Sequence, residues 1–133
     1  SEESNYSRIE LKDTADEKVK KIKKAKTDSD PIPESEKELL NRPEAHNLLK
    51  IFSDVTQTPI EKILDQMAGK DFSFFKKELS DALVTNICPI GDEIKKLLSN
   101  RSHLEAVLKK GKEKAQLKAE ENLKKIRDIV GLL

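Results

Sequence analysis

Apolar residues recur along this chain every three or four positions, with charged residues between them. That period marks helices with one buried face. From 72 to about 99 the apolar positions are Phe75, Leu79, Leu83, Ile87, Ile90, Ile94 and Leu97. They predict one long helix, which Pro89 and Gly91 should kink or break. A second stripe predicts a helix over 102–130: Leu104, Val107 or Leu108, Gly111, Ala115, Ala119, Leu123, Ile126 and Val130, with Gly131 as its cap. Gly111, Ala115 and Ala119 repeat at four-residue spacing, which would let another helix approach closely. A mid-helix glycine costs on the order of 1 kcal/mol against alanine, so a packing reason is expected.

Upstream, Val19, Ile22 and Ala25 or Lys26 share one face of a helix predicted over 15–26, capped by Asp13 or Thr14. Lys18, Lys20, Lys21, Lys23, Lys24 and Lys26 cover the rest. Cations near a helix C-terminus suit its dipole, so these lysines read equally as a solvated face or as a surface for RNA phosphates. Thr27-Asp28-Ser29-Asp30 with Pro31 and Pro33 then stops the helix, and 34–40 adds a short turn. The loop is either a linker or a carrier of function. Asn41-Arg42-Pro43-Glu44 restarts a helix with Pro43 at its first position and Leu48, Ile51, Phe52 and Val55 as its stripe. Thr58-Pro59-Ile60-Glu61 opens another, running to Ala68 and ended by Gly69. Only Ser7 to Leu11 alternate as an extended segment would. The fold class expected is all-α, an irregular bundle of about five helices with a short extended N-terminal segment.

Composition refines this picture. Charged residues make up 38% of 133 and aromatics 4%, yet the apolar spacing assigns the charges to solvated helix faces. With 26 basic and 25 acidic residues the net charge is +1, which argues against strong global attraction to nucleic acid but leaves local basic patches open. Cys88, the single cysteine, lies in an apolar run and reads as a buried structural thiol. His46, expected on an exposed helix side, and His103 have no ligand-spaced partners, and the four glycines are too scattered to cradle phosphates. No metal site, cofactor site or catalytic constellation is legible. With neither a signal peptide nor an apolar run of roughly 20 residues, a soluble cytoplasmic protein is expected, bound neither to membrane nor to DNA. The opening on Ser1-Glu2-Glu3-Ser4 without Met suggests an excised fragment.

Four spaced elements then carry a resemblance: Ala25, Thr27, Asp28 and Ser29 after a lysine-rich helix; Arg42, Pro43, Asn47, Leu48, Leu49 and Ile51; Gly69, Lys70, Phe75 and Lys76; and Pro89 with Ile90. Together they resemble the C-terminal part of the bacterial-type tryptophanyl-tRNA synthetase family, over essentially the whole chain. The resemblance implies that 1–12 is the connection from a catalytic domain and 13–133 a helical anticodon-binding domain. Ser1 would be the last residue of the signature loop that contacts ATP. The parent would use ATP with Mg to activate tryptophan and transfer it to tRNA(Trp), as a homodimer in a bacterial cytoplasm or an organelle matrix. The fragment itself would lack catalysis. Its RNA-binding residues would be Lys21 and Lys24 on phosphates, with Asp28 and Arg42 reading an unpaired cytosine of the CCA anticodon. Asp28 reads alternatively as a residue that only closes the turn, and Asn47 as a buried amide that supports the loop. A helical module that binds only protein is the rival reading, and composition alone would favour it.

Overall fold

The computed structural model describes residues 4–131. The expectation for Ser1 lies outside them. The described residues form five α-helices, α1 (Ala15–Lys24), α2 (Pro43–Thr56), α3 (Ile60–Met67), α4 (Phe72–Ser99) and α5 (Arg101–Val130). A 3-10 helix spans Glu36–Asn41, and no strand is present among the described residues. The fold is all-α, and the segment from Ser7 to Leu11 pairs with nothing as a strand.

Local chemistry sets most boundaries. Thr14 caps α1 in a reciprocal box with Glu17: its hydroxyl accepts from the Glu17 amide at 3.2 Å, and the Glu17 carboxylate accepts from the Thr14 amide at 2.7 Å. Pro43 opens α2 where a backbone donor would go unused. Gly69 (φ +75°) turns the chain between α3 and α4.

The chain divides into two compact units, Ser1–Glu93 and Ile94–Leu133. In the first, every element contributes to one core: Ile22 from α1, Ile32 and Leu39 from the loop and 3-10 helix, Leu48 and Leu49 from α2, Ile63, Leu64 and Met67 from α3, and Phe72, Phe75, Leu79 and Leu83 from α4. Phe75 sits at its centre, with the Phe52 ring at 5.5 Å and the Phe72 ring at 5.9 Å. The proline-containing loop is therefore no linker. Ile32 is buried, and its backbone exchanges two hydrogen bonds with the α3–α4 turn, donating to Lys70 O at 2.9 Å and accepting from the Gly69 amide at 2.9 Å. In the second unit no residue of α5 is buried, and Leu108, Leu123, Ile126 and Val130 are exposed. The close helix approach expected at Gly111 is not met: a Cβ built there has no neighbour within 4 Å. Among the described residues no helix is long and apolar enough to cross a membrane.

Three further expectations are corrected. Helix α4 runs unbroken through Pro89. Gly91 serves close packing rather than interruption, because a Cβ there would clash with the Leu11 carbonyl oxygen. Cys88 is half-buried rather than buried, and His46 is half-buried rather than exposed. Gly91→Ala should therefore force backbone to move and destabilise the fold by about 1–3 kcal/mol. Gly111→Ala, with open space around it, should be neutral or stabilising by up to about 1 kcal/mol. Thermal melts followed by far-UV dichroism check the pair, and equal effects would contradict the packing role of Gly91.

Candidate functional site

The lysines of α1 do not form one solvated face. Lys18 is 0% exposed, and its ammonium donates to the Leu11 carbonyl at 3.2 Å and to the Asp13 carbonyl. Lys21 is 5% exposed and pairs with the Asp13 carboxylate at 2.7 Å. Burial pushes the Asp13 carboxyl up, but hydrogen bonds from Lys21 and from the Glu10 amide outweigh it, so the group titrates below the usual carboxylate range. Burying a cation is tolerable only when its donors are taken up in this way. Lys21 is thus engaged inside the fold, with Lys18, fastening the N-terminal segment to α1. The surface charge expected of it lies instead on Lys20, Lys23, Lys24 and Lys26, which are exposed. Lys24 stands 3.9 Å over the Tyr6 ring, and Lys26 pairs with Glu44 at 3.5 Å.

Asp28 and Arg42, fourteen positions apart, are brought together. The Arg42 guanidinium donates from Nε to Asp28 Oδ2 at 2.9 Å and from Nη2 to Asp28 Oδ1 at 2.5 Å. It also donates to the Pro31 carbonyl at 2.9 Å and the Asp30 carbonyl at 3.0 Å, and lies 5.5 Å from the Phe72 ring centre. The Asp28 carboxylate takes a further bond from the Asp30 amide at 3.2 Å. Arg42 holds the Asp28 carboxyl below its ordinary range, and Asp28 in turn raises Arg42. A planar five-donor fork fits this set; lysine could not supply it. A carboxylate has about four lone-pair sites and three are used here, so Asp28 keeps one acceptor.

Asn47 is exposed, on the rim of a cavity of ≈ 470 Å³ bounded by α1, α2, α4 and the segment from Tyr6 to Leu11. The buried supporting amide expected there is not present, because Leu48 and Leu49 take the inward positions of that turn. Sequence reasoning also passed over Lys76 as a charge in its own right. Half-buried on α4, it donates to the Ala25 carbonyl at the end of α1 at 2.7 Å, and burial lowers its pKa. Its sequence signals are the adjacent pair Lys76-Lys77 and its place beside Phe75 in the resemblance. Net charge concealed a division as well: residues 1–93 hold 15 basic against 20 acidic residues, and 94–133 hold 11 against 5. Among the described residues, no group of three or more His, Cys, Asp or Glu side chains is placed to hold a metal.

Comparison with known proteins gives this geometry a family. The model for tRNA synthetases class I (W and Y) matches residues 1–87. Over all 133 residues the chain is 41% identical to a tryptophan–tRNA ligase of Rhizobium meliloti (strain 1021). It is 41% identical over 131 residues to one of Caulobacter vibrioides, and 38% identical over 130 residues to one of Rickettsia felis. The chain spans 38% to 39% of the length of these relatives, while 98% to 100% of the chain itself is covered. With a family match over most of its length and relatives alike from end to end, the chain belongs to the class I tRNA synthetases of the W and Y family.

Proposed function

We propose that this chain is the helical tRNA-binding part of a tryptophan–tRNA ligase and holds the anticodon end of tRNA(Trp). The whole protein would activate tryptophan with ATP and Mg and transfer it to tRNA, as a homodimer in the cytoplasm. The observation that carries the reading is a pair of exposed ammoniums one helical turn apart, Lys20 and Lys24 on α1, leading into the loop that Arg42 holds in place. Phosphates of a single-stranded loop would take those charges, and bases would splay across the loop. The likeness to tryptophan–tRNA ligases along the whole chain supports the choice of amino acid. The chemistry would lie outside this chain, which should give no tryptophan-dependent ATP–pyrophosphate exchange by itself.

In this reading Asp28 and Arg42 shape the loop first. Four of the five guanidinium N–H donors are already committed, so Arg42 is poorly free to read a base. Lys24 gives affinity without sequence information, as phosphate contacts do. Lys20→Gln/Lys24→Gln should weaken tRNA(Trp) and anticodon variants alike, and flatten the plot of log affinity against log salt by roughly 0.7 per lost contact. A loss confined to the cognate tRNA would mean that these lysines read bases.

Asp28→Asn tests the loop. The pair is partly exposed, so its loss should cost up to about 1 kcal/mol at neutral pH. The depressed folded pKa makes this contribution present above the ordinary carboxylate value and lost as pH falls through the lower folded value. Melting temperatures of the two proteins should therefore differ at pH 7 and converge in strong acid. Discrimination between CCA and other anticodons should survive the substitution. If it falls by about 1–3 kcal/mol while stability holds, Asp28 uses its remaining acceptor on a cytosine.

A further inference from the structure

Beyond the outer row of α1 lysines, a groove of ≈ 480 Å³ runs between α1 and α4. Ser73, Lys76, Lys77, Ser80 and Asp81 line it from α4, at intervals that place them on one helix stripe. Lys23 of α1 lines the facing wall. Three ammoniums thus meet one carboxylate, in a unit that is acidic as a whole. Among the described residues none of the three lysines makes an ion pair. Lys76 is the telling member. It is half-buried, one of its three N–H donors goes to the Ala25 carbonyl, and no carboxylate offsets its desolvation. A partly desolvated cation beside two others lacks an anion.

We propose that this α1–α4 groove binds a phosphate of the RNA backbone, with Lys23, Lys76 and Lys77 as cationic ligands and the Ser73 hydroxyl as a further donor. The inference rests on the RNA-binding reading and extends it to a second helix. Ser80 does not join them, since its hydroxyl donates to the Lys76 carbonyl at 2.7 Å. Asp81, one helical turn beyond Lys77, adds a carboxylate to the lining and disfavours a second phosphate beside it. Because Lys76 also bonds the last turn of α1, a phosphate held here would tie the lysine helix to α4. Lys76 and Phe75 belong to one element of the resemblance, and the groove gives the lysine a task that packing alone would not require.

The test uses Lys23→Gln/Lys77→Gln, two exposed positions whose side chains make no hydrogen bond or ion pair within the described fold. Binding of tRNA(Trp) to this chain is followed over a salt series. The double variant should flatten the salt slope by roughly 1.4, with unchanged melting temperature, and Lys23→Arg/Lys77→Arg should restore it. A wild-type slope and affinity, while Lys20→Gln/Lys24→Gln still weakens binding, would overturn the groove and leave the RNA reading standing. No salt-dependent binding by the unaltered chain would overturn both. Inorganic phosphate supplies the second arm. If it shifts the amide resonances of Ser73 to Asp81 and tRNA does not, the groove takes free anions and not RNA.

Discussion

One guanidinium ties together the polar loop, the start of α2 and the start of α4. Arg42 stands where α2 begins, and from there reaches the Asp28 carboxylate, two loop carbonyls and the face of Phe72 at the start of α4. Without it, the carbonyls of Asp30 and Pro31 would lose their partner, and Asp28 would keep only the bond from the Asp30 amide. Ile32 would still be buried, so the loop would remain attached but lose its defined course. The constraint explains how a polar, proline-containing stretch can follow a defined course. Its backbone polar groups are satisfied by one side chain and by the Gly69–Lys70 turn, as buried and half-buried backbone must be.

Around this point the lysines are sorted by depth. Lys18 and Lys21 are spent inside the fold, where they seat the N-terminal segment on α1; Gly91 permits the Leu11 backbone to lie against α4. Lys20, Lys23 and Lys24 remain on the surface, and Lys76 stands between the two groups. A helix that reads as uniformly basic is therefore divided into a buried set and a surface set. The RNA surface proposed above needs only the outer set, while the inner set holds the segment around Leu11 and Asp13 against α1. The division of charge at residue 93, hidden in a total of +1, gives the second unit a basic character of its own.

Much of the fold was legible because its determinants are local. Pro43, Gly69, Gly131 and the Thr14 region announce helix ends through groups within a few residues, and the periodicity of α4 follows from one buried face. What the sequence hid depends on distant partners. Nothing near Lys18 says that carbonyls of Leu11 and Asp13 will meet its ammonium, because an intervening turn must first bring them over α1. The sequence reading set Asp28 and Arg42 on one cytosine, and only the folded loop shows that they bond each other. Pro89 misled for the same reason in reverse. Its local cost in a helix is real, about 3 kcal/mol, yet α4 continues through it, with buried Leu83 and Gly91 on either side. The stripe on α5 shows the limit of periodicity, which identifies an apolar face without saying what meets it.

The central claim is that RNA lies across the end of α1, the loop from Thr27 to Pro31 and the first turns of α4. Amide hydrogen exchange of this chain, with and without tRNA(Trp) at low salt, tests it most directly. Added protection at residues 20–31 and 72–81, with α3 unchanged, is the predicted pattern. Protection confined to α3 or α5, or none at all under conditions where tRNA is bound, would contradict it.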